Sequence, residues 1–150
     1  MTEMLFYHLE RQPVAQALVA LLERSLDRNW RVVVQTVSDE RLEALDSHLW
    51  TYRDDSFLPH GTFREPNAAA QPVLLTTDTA NPNGATVRFL IDGAPLPEDA
   101  ESYERIVLMF DGNDPDAVDE ARQRWREARA KGFDCTYWQA DETGRWAKKG

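Results

Sequence analysis

The chain has 150 residues, 42% hydrophobic and 29% charged, with a formal net charge of −9. That length suits one compact domain around one core, and the balance of apolar and charged residues is that of an ordinary globular protein. The acidic excess argues against a chain that grips the DNA backbone directly, and a lone cysteine, Cys135, rules out an internal disulfide or a cysteine-rich metal site.

Met4-Leu5-Phe6-Tyr7-His8-Leu9 is a short apolar and aromatic run that reads as a buried strand. From Pro13 to about Arg28, apolar residues at Val14, Ala17, Leu18, Leu21, Leu22 and Leu26 have helical spacing, with proline in the first turn. Trp30 to Val37 is a β-branched strand, and Ser38 caps a helix over Arg41 to Trp50 whose Leu42, Leu45 and Leu49 share a face. Strand, helix, strand, helix is the start of a right-handed parallel βαβ arrangement.

Residues 51–71, with Pro59, Gly61 and Pro66, read as an irregular connection. Pro72 to Thr76 resumes as a strand, and Asn81-Pro82-Asn83-Gly84 is a turn before the strand Val87 to Ile91, which Asp92-Gly93 ends. Ile106 to Phe110, a continuous apolar run, is expected at the centre of a sheet. A helix over 115–131 stops at Gly132, a last strand spans Phe133 to Trp138, and from about 139 a polar tail follows, broken by Trp146. The alternation predicts a single α/β domain, a three-layer sandwich with a mainly parallel sheet. No apolar run approaches the roughly 20 residues that a bilayer span needs, and the first residues lack a basic leader, so a soluble cytoplasmic protein without a membrane contact is expected.

Open parallel sheets bind ligands at the carboxyl ends of their strands, but Glu10-Arg11-Gln12-Pro13 after the first strand has no glycine. Neither a GxGxxG nor a GxxxxGK[ST] pattern occurs. The topology is thus nucleotide-binding-like without a phosphate loop, and no cofactor is expected. No serine has the glycines of a nucleophile elbow, and His8, His48 and His60 lack metal-ligand spacing. Asp54-Asp55 and Asp114 with Asp116 read as solvated loop charge, and Cys135 as a small buried hydrophobe. No catalytic constellation emerges, and no metal site.

Charge is unevenly distributed. Residues 121–131 hold five basic side chains against one acidic, whereas residues 92–120 hold one against ten. Arg122, Trp125, Arg126 and Arg129 recur at i, i+3, i+4 and i+7 of the last helix. Acids in its first turns and arginines in its later ones complement the helix dipole, which accounts for the polarity but leaves Trp125 open. It is either a core anchor whose neighbours snorkel or the floor of a pocket for an acidic peptide with an apolar end, since guanidiniums pair with carboxylates and stack on rings.

Leu49-Trp50 followed by Asp55-Ser56-Phe57-Leu58-Pro59-His60 resembles the L-W…S-F-x-P-H segment of the chi subunit family of bacterial DNA polymerase III. Phe6-Tyr7 in the opening strand, the second strand after Trp30, and Ala121 to Arg126 with Lys131-Gly132-Phe133 behind it follow in that family's order and spacing. The resemblance implies a non-catalytic clamp-loader accessory subunit that pairs with the psi subunit, binds the acidic, Phe-ended C-terminal tail of single-stranded DNA-binding protein, and meets DNA only indirectly. Carried over by position, Arg122, Trp125 and Arg126 are tail-binding residues, with Trp125 where the family can use Tyr; Arg129 completes the stripe and Trp50 is placed as a neighbour of that pocket. For psi, the resemblance points to Phe57, with Pro59 and His60 of the same segment and Phe110 at the end of the central strand. The looser region 67–86, the extension 141–150 and the acidity of 92–120 depart from the family pattern. An adaptor for a helicase or repair partner, or a small α/β enzyme, are the alternative readings.

Overall fold

The computed structural model describes residues 2–52, 58–140 and 145–149. β1 (Glu3–Leu9) leads through α1 (Val14–Asp27) to β2 (Val32–Gln35), and α2 (Asp39–Thr51) follows. Two short strands, β3 (Gly61–Thr62) and β4 (Val73–Thr76), precede β5 (Val87–Leu90) and β6 (Arg105–Asp111). The chain closes with α3 (Pro115–Ala130), β7 (Asp134–Ala140) and β8 (Trp146–Lys148). These strands form one sheet in the order β3-β4-β2-β5-β6-β1-β7-β8, parallel throughout except for the antiparallel β7–β8 pair.

Two apolar layers flank the sheet, as its strand sequences require. α1 and α2 bury Leu18, Leu22, Leu42, Leu45 and Leu49 against Val34, Leu75, Phe89, Val107 and Met109 on one face. On the other face α3 lies over Met4, Phe6, Leu108 and Phe110. The result is the three-layer α/β sandwich that the hydrophobic periods predict.

Local chemistry places the helix ends. The Ser38 hydroxyl accepts from the Arg41 N–H at 3.2 Å, and the Asp114 carboxylate from the Asp116 N–H at 3.0 Å, with Pro115 in the first turn. Gly132 adopts φ +82, which lets the Phe133 N–H turn back to the Ala128 carbonyl at 3.0 Å and stop α3.

Three features differ from the sequence reading. β3 occupies part of the stretch expected to be irregular, aligned with β4. β2 ends at Gln35, leaving Val37 exposed. Gln139 and Ala140 continue β7, and Trp146 to Lys148 pair with it as β8, so the expected polar tail carries sheet structure. The Trp146 indole packs on Tyr7 at 5.0 Å, on the face away from α3.

Arg88 on β5 is completely buried. Its guanidinium donates to Gln35 Oε1, the Tyr103 hydroxyl and the carbonyls of Asp78 and Ala80 at 2.5–3.1 Å. Hydrogen bonding of this kind is what a buried charge needs to be tolerated.

Candidate peptide-binding site

α3 turns Ala121 and Ala128, small residues seven apart, toward the sheet, where their size lets the helix backbone approach closely. Trp125 lies between them on the shoulder of that stripe. Its ring meets Phe6 edge-on at 5.1 Å and Tyr137 of β7 at 6.2 Å, and is half-buried. Between the helix and β7 opens a pocket of about 270 Å³ lined by Val118, Ala121, Arg122, Trp125, Arg126 and Tyr137. The apolar residues make its floor and walls, and the two arginines stand at its mouth.

The guanidiniums there are not consumed by internal acids. Arg122 is 3.8 Å from Asp119 with both side chains about 70% exposed (69% and 74%), a loose contact of little energetic weight. Among the described residues Arg126 and Arg129 make no ion pair, and the Arg129 guanidinium lies 5.9 Å over the Trp125 ring. The pocket therefore combines two exposed guanidiniums, Arg122 and Arg126, with an aromatic corner, the chemistry that recognises carboxylates beside an apolar end group, while Arg129 stacks on the indole outside its lining.

Tyr137 is the wall that sequence reasoning missed. It lies beyond the basic helix, and its relation to Trp125 arises only because β7 pairs in parallel with β1, setting Tyr137 opposite Phe6. Its hydroxyl is hydrogen-bonded to His8 Nδ1, while His8 Nε2 lies 2.7 Å from Glu10 Oε1. Burial pushes the Tyr137 hydroxyl above its ordinary acidity range, against the pull of the nearby Arg122 charge.

The topology corrects two placements. Trp50 is on α2, across the sheet from α3, so it does not border this pocket; its ring, 51% exposed, stacks obliquely on His60 at 4.6 Å. Phe110 is buried on the α3-facing side, packed on His8 and Tyr137, with β5, β2 and β4 between its strand and β3, so it does not adjoin Pro59 and His60. The His60 side chain is fully enclosed, its ring nitrogens 2.7 Å from the Leu58 carbonyl and 3.0 Å from Asp46, which fastens the 58–60 segment to α2. Pro59 is half-buried beside it. Phe57 lies outside the described residues.

A larger cleft, about 840 Å³, opens at the carboxyl ends of β1 and β6, where this class of fold places its ligands. Its rim carries Glu10, Asp92, Asp111, Asp114, Asp116 and Glu120 against Arg11 and Arg41. Five of those six acids come from the unusually acidic stretch 92–120. Their field repels a nucleotide's phosphates and equally an acidic peptide, leaving the arginine side of α3 as the attractive surface for such a peptide. Among the described residues no group of His, Cys, Asp or Glu is arranged to hold a metal ion, and no helix is long and apolar enough to cross a membrane.

Comparison with known proteins agrees with the geometry. Residues 1–136 match the family described as DNA polymerase III chi subunit, HolC. A "Probable DNA polymerase III subunit chi" of Rickettsia prowazekii (strain Madrid E) is 29% identical over 117 residues, covering 74% of this chain and 71% of that protein. The open α/β sheet, the basic-aromatic last helix and a match across almost the whole chain together place this protein in the DNA polymerase III chi subunit family.

Proposed function

We infer that this chi-family chain is the clamp-loader accessory subunit that docks the acidic C-terminal tail of single-stranded DNA-binding protein in the α3–β7 pocket and pairs with the psi subunit at the opposite side of the sheet. Membership of the family makes it an accessory component of DNA polymerase III and not a catalytic one. The observation that carries the docking reading is the pocket itself: Arg122 and Arg126 at the mouth of an apolar recess walled by Trp125, in a chain of net charge −9. A tail of carboxylates ending in Pro-Phe presents charges for the guanidiniums and a ring for the recess. Contact with DNA is then indirect, through the coated strand.

The second surface lies at the end of α2. Among the described residues Trp50 is one of two large hydrophobic side chains left exposed, and it stands beside Pro59 and His60. An exposed indole is a favoured anchor for a protein partner. From β3, at that edge, to β1, beneath the tail pocket, is five strand spacings, roughly 24 Å at about 4.8 Å each. Two partners thus fit at once without competing, as a linker between polymerase and coated single strand requires.

The test is fluorescence anisotropy with a labelled peptide ending in Asp-Ile-Pro-Phe. Binding is expected to weaken as salt rises, because partly exposed ion pairs are screened. Arg122→Ala is expected to lower affinity about three- to tenfold with the melting temperature unchanged. Equal affinity of wild type and Arg122→Ala would remove the assignment.

A further inference from the structure

We propose that Tyr137, held in place by His8, makes the pocket selective for an aromatic residue at the peptide's C-terminus over an aliphatic one of similar size; this rests on the docking reading above. Trp125 and Tyr137 meet at 6.2 Å and 74°, so their faces form a corner and not a slot. Val118 and Ala121 close its floor with small or branched side chains. A planar ring entering this corner places an edge against one wall and a face against the other, the two arrangements aromatic pairs favour. A branched aliphatic side chain fills the same volume without that electrostatic match.

The orientation of Tyr137 is over-determined, as a selectivity wall must be. Its hydroxyl is engaged by His8, and His8 Nε2 is engaged by Glu10, which also accepts from Gln139 Nε2 at 3.0 Å. Phe110 packs against both rings, 5.0 Å from His8 and 6.2 Å from Tyr137. Gly112 lies directly against the imidazole, where any Cβ would overlap His8, so the backbone of the turn after β6 also holds the ring. Tyr137 thus acts directly on the ligand, and His8 is a positioning residue.

Three peptides of the same acidic sequence test this, ending in Phe, in Leu, or one residue short. Wild type is expected to prefer the Phe-ended peptide over the Leu-ended one about three- to tenfold. Tyr137→Thr, which keeps a strand-favouring residue, is expected to bring that preference below twofold. Tyr137→Phe, which retains the ring, is expected to keep most of the preference, and His8→Ala to reduce it without altering affinity for the shortened peptide. An unchanged Phe/Leu ratio in Tyr137→Thr overturns the selectivity role, and an unchanged ratio in His8→Ala overturns the positioning role. If wild type binds the Phe-ended and shortened peptides equally, the docking reading falls and this inference with it.

Discussion

The Trp125 indole meets Phe6 at 5.1 Å and an interplanar angle of 61°, so the ring that walls the pocket also anchors α3 to β1. The chemistry of the sequence leaves core anchor and pocket floor as alternatives; the ring packs on the core and also lines an open recess. Trp125→Ala is therefore expected to cost stability as well as peptide binding, about 2–4 kcal/mol given that the ring is only half-buried. Trp125→Phe should recover most of the stability and part of the affinity. Urea denaturation beside anisotropy separates the two effects; a Trp125→Ala protein as stable as wild type would contradict the anchoring role.

Trp50 gives a contrasting expectation. Its ring is half-exposed at the end of α2 and touches His60 without entering the core. Trp50→Ala should abolish co-purification with psi, leave the melting temperature within a degree or two, and leave tail-peptide affinity within twofold. Phe57→Ala is likewise expected to abolish co-purification with psi while tail binding survives. Phe110→Ala should instead lower stability, because that ring is packed inside the α3 layer. Loss of tail binding in Trp50→Ala would join the two surfaces that the topology separates.

Most of the layered architecture was legible in the sequence, because buried parallel strands read as apolar runs and the helices show apolar spacing with end signals at Pro13, Ser38 and Gly132. Ser38 and Gly132 stand where residue chemistry places them, whereas Asp114, which reads as solvated loop charge, caps α3. What escaped depends on long-range register. Nothing near α3 in sequence announces that Tyr137 faces Trp125, since that follows from β7 pairing beside β1. The family resemblance places Trp50 beside the Trp125 pocket, whereas α2 and α3 cover opposite faces. The acidity of 92–120 lacks a reason in the sequence; the ends of β5 and β6 and the first turns of α3 bring five of its carboxylates to one cleft rim.

Arg88 was read only as part of a strand, yet it is a hub beneath the sheet. Arg88→Met keeps the apolar stem but strands Gln35 Oε1, the Tyr103 hydroxyl and two carbonyls. Each buried group left unpaired costs about 1–3 kcal/mol, with water entry offsetting part. The expected loss is about 3 kcal/mol in denaturant unfolding, with peptide affinity of the folded protein unaltered. A neutral substitution would mean the network contributes no net stability.

Tyr7 provides a pH test. Burial raises its hydroxyl above the ordinary value of 10.0, opposed by Arg105 and Arg24. A group that holds its proton more tightly when folded contributes stability that is intact below 10.0 and lost as the pH rises through the folded value. Urea midpoints should be level from about pH 7 to 9 and fall above 10, and Tyr7→Phe should lessen that alkaline fall. An identical alkaline profile in the variant would exclude Tyr7 as a contributor.

The most direct test of tail docking is a heteronuclear NMR titration that follows the five indole N–H resonances as the acidic Phe-ended peptide is added. The Trp125 indole and backbone amides of α3 around Arg122 and Arg126 are expected to shift in a saturable, salt-sensitive manner, while Trp50 and the amides of Gly93 and Asn113 at the acidic cleft stay still. Shifts centred on Trp50 or on the cleft, with Trp125 silent, would contradict the account.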